Sequence, residues 1–293
     1  MLEVYYTEIM RFFDAKCGLV LGIREEIVSE IFVLVTGGIV SGILGGVFGI
    51  GGGIILIPLL LNFSNLDFVS ISSISLFCIV ATSFLVSGKK IESGEVDLNL
   101  VKQLEPILML GGFIGAFLSK LLDEIVPLSV FSLVVVYIIF MSLRKTKGEP
   151  LESLGDRGFS RFSSSSFLKG NLTKLRCAAG GASVLAGLLG IGGGVIMVPM
   201  MSKLARISVS RAAATSAYLL GVTAAGACLS HLSGGSLPAT KAIYALGGVF
   251  LGAPLGVRFS RLIHEHHLER AFIVVLGLAL TKVILKLWSI TIG

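Results

Sequence analysis

A chain of 293 residues that is 54% hydrophobic and 14% charged, with a mean hydropathy of +0.93, has too little charge to clothe a soluble core and reads as an integral membrane protein. Its 24 basic and 18 acidic residues lie between long apolar runs, so the net +6 is loop charge that orients the chain against anionic lipid, and no basic patch interleaved with aromatics points to nucleic acid. Cys17, Cys78, Cys177 and Cys228 form no Cys-x-x-C pair and no zinc spacing, so no disulfide framework, metal or other cofactor is expected.

Residues 1–30 form a polar N-terminal segment that mixes Glu3, Glu8, Asp14 and Glu25 with Arg11, Lys16 and Arg24. It lacks the short apolar core and the small-residue cleavage site of a secretory signal. The first apolar run, 31–61, would make a helix of about 46 Å, too long for one crossing of a hydrocarbon core of about 30 Å and too short for two. Its middle carries Gly49-Ile50-Gly51-Gly52-Gly53, and each glycine costs about 1 kcal/mol of helix propensity while accepting positive φ. The spacing predicts two half-helices of about 13–15 residues meeting near the bilayer midplane. Apolar runs at 68–88, 104–122 and 126–143 predict three spanning helices. Residues 144–176 follow, with eight Lys or Arg and the run Ser163 to Ser166, and read as a solvated cytoplasmic linker.

The run 177–201 repeats the first, with Gly190-Ile191-Gly192-Gly193-Gly194 and Pro199 in place of Pro58, and runs at 210–230, 241–259 and 271–292 complete a second half. The offset is 141 residues without a gap: Ser75 falls on Ser216, Thr82 on Thr223, Gly94 on Gly235, Gly111 on Gly252 and Gly115 on Gly256. Repeat 1 is therefore 31–143 and repeat 2 is 177–293. Loop charge reverses between them. The gap 62–67 has no Lys or Arg where 202–211 has Lys203, Arg206 and Arg211; Lys89, Lys90 and Lys102 face Lys241; Lys120 faces Arg258, Arg261 and Arg270; and the basic linker faces a tail without charge beyond Lys286. Only Arg11, Lys16 and Arg24, at an N-terminus placed outside, dissent. The fold expected is an all-α polytopic membrane protein of two inverted-topology repeats, each with a Gly-broken re-entrant or hairpin element plus three transmembrane helices.

Broken helices in inverted repeats are the architecture of secondary transporters, because orphan backbone groups at the break must line a cavity or a substrate. Gly51, Gly52, Gly53 and Gly192, Gly193, Gly194 each open a half-helix whose positive end and unpaired N–H groups suit an anion. The competing reading is close helix packing, to which the upstream Gly38, Gly42 and Gly46 point more strongly. Hydroxyls add donors: Ser75 and Thr82, and their equivalents Ser216 and Thr223, share one helical face at i, i+7, with Thr215 beside them. Back-bonding to the preceding turn is the alternative. No Asp or Glu lies deep in an apolar run, so no carboxylate relay is visible. Lys282 and Lys286 are read as snorkelling, His264, His266 and His267 as solvated charge, and His231 as a helix end with little to offer.

The doubled Gly-x-Gly-Gly-Gly followed by Pro, at Gly49 to Pro58 and Gly190 to Pro199, with Ala213-Ala214-Thr215-Ser216 and its degenerate counterpart Ser72-Ser73-Ile74-Ser75, resembles the TauE/SafE sulfite exporter family of membrane permeases over about residues 31–292. The resemblance implies transport of a small sulfur-containing anion, such as sulfite, thiosulfate or an organosulfonate, across the plasma membrane of a bacterial cell by a multi-pass protein. It carries the family's glycine segment onto Gly51 to Gly53 and Gly192 to Gly194 and its hydroxyl segment onto Thr215 and Ser216. In the first half Ile74 stands in place of that threonine. The expected partners are the anion and the lipid bilayer, with a homodimer left open. An anion channel or passive pore of the same fold is the alternative. An intramembrane enzyme is less favoured, since no His or Lys neighbours Ser75 or Ser216 in sequence, and a nucleotide site lacks both a strand–helix unit and a Lys-Ser or Lys-Thr.

Overall fold

The computed structural model describes residues 28–47, 51–64, 66–145, 165–205 and 207–259, with Gly277, Leu280, Thr281 and Val283. The regular elements are α1 (Val28–Val47), α2 (Gly53–Phe63), α3 (Phe68–Glu92), α4 (Leu98–Leu121), α5 (Ile125–Lys145), α6 (Ser165–Leu189), α7 (Gly194–Met200), a π-helical turn Met201–Ala205, α8 (Val209–Ser233) and α9 (Ala239–Phe259); no strand occurs among the described residues. Arg11, Lys16, Arg24, Gly49, His264, His266, His267, Lys282 and Lys286 lie outside them, as does 146–164 of the linker.

Five helices, α1, α3, α4, α8 from Arg211 onward and α9, are long and apolar enough to cross a bilayer. Their surfaces agree: Phe84, Leu110 and Leu251 stand 64–80% exposed on α3, α4 and α9, as a lipid-facing side requires and a soluble surface does not tolerate in bulk.

Caps set the helix ends where hydropathy alone did not. Asp97 accepts hydrogen bonds from Asn99 N and Leu100 N at 3.1 and 3.2 Å, so α4 starts at Leu98, ahead of the apolar run that begins at 104. Ser208 caps α8 by accepting from Arg211 N at 3.4 Å. α6 begins at Ser165, inside the stretch read as linker. Elements of the two halves keep the 141-residue offset: α3 and α8 match it at both ends, and α2 and α7, and α4 and α9, match it at their starts.

Glycine stripes bring the helices together. α1 lies parallel to α9, where a Cβ on Gly38 or Gly46 would sit 2.2 or 2.6 Å from the carbonyl oxygens of Ala245 and Ala253, and one on Gly248, Gly252 or Gly256 within 2.1–2.3 Å of those of Val35, Ile39 and Ile43. α4 meets α6 in the same manner: a Cβ on Gly115 would reach 2.0 Å from Val184 O, and one on Gly187 would reach 2.3 Å from Gly112 O. Only glycine permits such backbone approach, so Gly38, Gly42 and Gly46 are packing residues. α4 also runs alongside α8, with Asp97 at Thr215 near one end and Lys120 at Ser230 near the other. α3 is antiparallel to α8, joined by Ser73 to Ser236 and Ser83 to Ala217. Thus α1, α3 and α9 run one way, and α4, α6 and α8 the other.

The short α2 folds back along α1, with Gly37 facing Leu56 and Leu60. Apart from Asn62 its 11 residues are apolar, and Gly53 to Pro58 and Leu60 are buried, so neighbouring helices solvate that part in place of lipid. The limbs about the glycines are unequal: α1 has 20 residues against 11 in α2, and α6 has 25 against 7 in α7. The inequality follows from where the glycines sit: 18 residues of the run 31–61 precede Gly49 and eight follow Gly53.

Candidate functional site

Gly51 and Gly52 (φ +84° and +72°), and Gly192 and Gly193 (φ +73° and +79°), occupy the left-handed region, and α2 and α7 start immediately after them at Gly53 and Gly194. Left-handed backbone costs an L-residue about 1–2 kcal/mol, so both turns call for glycine on φ alone. Space gives a second reason: a Cβ would lie 2.3 Å from Ser41 O at Gly52, 2.4 Å from Ile79 Cδ1 at Gly53 and 2.4 Å from Leu220 Cδ2 at Gly192. Neither α2 nor α7 has a side-chain cap at its N-terminus. The positive end of each helix is therefore left to the interior, undiminished by any carboxylate or hydroxyl of the first turn.

The two turns converge. Both Gly51 and Gly192 face Ile79 of α3 and Leu220 of α8, with would-be Cβ distances of 3.1 Å to Ile79 Cγ2 in each case and 3.4 and 2.4 Å to Leu220 Cδ2. Ile79 and Leu220 are themselves one repeat offset apart, and both are buried. They form an apolar plug between the breaks. A narrow crevice lined by Gly51, Thr82, Ser83, Val86, Ala217 and Leu220 reaches it from one side and has no room for a water molecule.

Each hydroxyl singled out from sequence is buried, and the structure gives each a definite partner. Ser75 Oγ donates to Gly190 O at 2.7 Å, tying α3 to the glycine segment of the other half. Ser216 Oγ donates to Gly194 O at 3.4 Å. Thr82 Oγ1 lies 3.1 Å from Gly51 O and also 2.8 Å from Cys78 O, its own preceding turn. These three hydroxyls stand at the glycine turns. Thr223 back-bonds to Leu219 O at 3.1 Å, and Thr215 Oγ1 accepts the Asp97 N–H at 2.9 Å. Thr215 thereby fixes the α3–α4 connection, and this explains Ile74: the position equivalent to Asp97 is Pro238, which has no N–H for a hydroxyl to accept.

Ser83, a further hydroxyl of α3, belongs to the same constellation, as do Ser41, Ile79 and Leu220, which were not singled out from sequence. Ser41 Oγ donates to Gly52 O at 2.9 Å, and Ser83 Oγ donates to Ala217 O at 2.5 Å. Ile79 and Leu220 carry a sequence signal only if repeat positions are compared by character and not by identity. His231 is fully buried, and not merely a helix end, because the turn after α8 folds over it. Among the described residues no three of His, Cys, Asp and Glu are grouped to hold a metal.

The sulfite exporter TauE/SafE family matches residues 34–283. A probable membrane transporter protein of Bacillus subtilis, YunE, is 25% identical over 78% of this chain and 88% of its own length. One of Haemophilus influenzae is 28% identical over 75% and 80%, and MJ0441 of Methanocaldococcus jannaschii is 23% identical over 88% and 97%, under the same description. No solved structure matches the chain. The chain belongs to the sulfite exporter TauE/SafE family and is a multi-pass membrane protein, a membrane transporter in class.

Proposed function

We propose that this protein is a secondary transporter for a small sulfur-containing anion, such as sulfite, thiosulfate or an organosulfonate, held between the two glycine turns. The observation that carries the reading is their convergence: two uncapped helix N-termini, one from each half, meet at a buried point across Ile79 and Leu220. Each supplies about half a positive charge and backbone donors, which is what a small anion needs where no Lys or Arg is buried among the described residues. Glycine lets the solute reach the amides. Ser75, Thr82 and Ser216 flank the point, and Gly51 to Gly53 and Gly192 to Gly194 form its walls.

Opposed helix directions support an inverted repeat. α3 and α8, α4 and α9, and α1 and α6 are pairs at the repeat offset, and the members of each pair run oppositely. In this arrangement α1–α2 enters and leaves on one face and α6–α7 on the other. The end bearing Lys90, Lys102, Arg211 and the basic linker is cytoplasmic. The plug is closed here, and rocking of one half against the other withdraws Ile79 and Leu220 to expose the turns to each side in turn.

Reconstituted vesicles with labelled sulfite, thiosulfate and a sulfonate test the reading. Saturable movement of at least one, competed by the unlabelled anion, is the expected result. Linear, chloride-like conductance would replace the carrier with a pore of the same fold, and no movement of any would overturn it.

A further inference from the structure

Leu220, Ala224, Ala227 and His231 recur at i, i+4, i+7 and i+11 on α8, one helical face, and all four are buried. Leu220, Ala224 and Ala227 pack with Leu76 and Ile79 of α3. One repeat offset earlier, α3 carries the corresponding face as Ile79, Ser83, Val86 and Lys90, of which Ser83 and Val86 line the crevice described above. Each stripe starts at the central plug and ends, about 16 Å along the helix, in a basic residue. Because α3 and α8 are antiparallel, the stripes lead to opposite ends of the molecule.

The His231 end holds polar atoms that its protein neighbours leave unused. His231 Nδ1 lies 2.9 Å from Ser236 Oγ, while Nε2 and the adjacent Ser230 Oγ are buried without a hydrogen-bond partner among the described residues. Lys120 Nζ reaches the same turn of α8, donating to Ser230 O and lying against Gly234. Ser236 Oγ lies 2.9 Å from Nδ1 and 3.3 Å from His231 O and donates to one of them at a time; a bound oxyanion selects the tautomer in which it donates to Nδ1 and Nε2 carries the proton as a donor. A cation, an imidazole N–H and a free hydroxyl at one end repel cations and leave apolar solutes without compensation; they match a small oxyanion.

We propose that His231, with Lys120, forms a buried binding site for a small oxyanion at one end of the α3–α8 interface. The proposal rests on the transport reading, and sulfite is the probe. In vesicles with the protein inserted in one orientation, His231→Leu raises the KM for sulfite offered at the His231 face about tenfold, the loss of one charge-assisted contact, and leaves KM at the opposite face within about twofold. His231→Gln, which returns an N–H near Nε2, recovers KM to within about threefold, an effect that a purely structural role would not produce. A KM unchanged in His231→Leu, or raised equally at both faces, overturns the proposal. If wild-type vesicles move no sulfite, the transport reading fails by itself, and the site is judged by sulfite binding to the detergent-solubilised protein. A Kd weakened by His231→Leu and recovered by His231→Gln upholds the site, and a Kd indifferent to both overturns it.

Discussion

Gly52→Ala and Gly193→Ala separate backbone conformation from available space at the two turns. Both glycines have positive φ, +72° and +79°, so each alanine costs about 1–2 kcal/mol for left-handed backbone. At Gly52 the new methyl would also lie 2.3 Å from Ser41 O and 2.5 Å from Ser41 Oγ, a clash with the α1 backbone that adds about 1–3 kcal/mol. At Gly193 the nearest atom is the Ala186 methyl at 2.9 Å, and the nearest backbone oxygen is 3.7 Å away, so much less is added. Thermal unfolding of the detergent-solubilised protein, followed by loss of the monodisperse peak, should place Gly52→Ala lower than Gly193→Ala by about 2–6 °C. Gly88→Ala, with nothing within 4 Å and ordinary φ inside α3, is the control, expected to hold the midpoint or raise it slightly. Equal midpoints, or the reverse order, would refute the argument that Ser41 and α1 hold the first turn more tightly than α6 holds the second.

Three further outcomes follow from the packing. Ile79→Ala with Leu220→Ala removes the plug between the breaks and should produce a non-saturating anion leak in vesicles, measured as flux linear in concentration; saturation as in wild type would contradict a gating role. Thr215→Val leaves the Asp97 N–H without its acceptor and should cost about 1–2 kcal/mol of thermal stability while leaving KM unchanged; a raised KM would make Thr215 a ligand. Gly252→Ala drives a methyl to 2.3 Å from Ile39 O and should lower the unfolding midpoint by several degrees through the α1–α9 contact, and a midpoint equal to wild type would contradict that packing.

Much of this architecture can be read in the chain itself, because membrane helices must be apolar throughout and glycine runs interrupt them visibly. The offset relating Gly52 to Gly193 and Ser75 to Ser216 is legible for the same reason: residues that only one side chain satisfies persist in both halves. What escapes is whatever depends on a third element. Thr215 and Ser216 look equivalent in sequence, yet one is held by the α3–α4 loop and the other by the glycine turn, a distinction set by Asp97 in that loop. Ile79 and Leu220 show no identity match, and only their common position against both turns marks them. His231 lies near a sequence polar enough to suggest solvent, and only the fold of the following turn buries it.

Counterflow measures the central claim most directly. Vesicles preloaded with unlabelled sulfite should take up labelled sulfite faster than empty ones, and Gly52→Val and Gly193→Val should lose this acceleration while remaining inserted in the membrane. Uptake indifferent to the internal anion, or counterflow preserved in both valine variants, would contradict a carrier built on two converging helix N-termini.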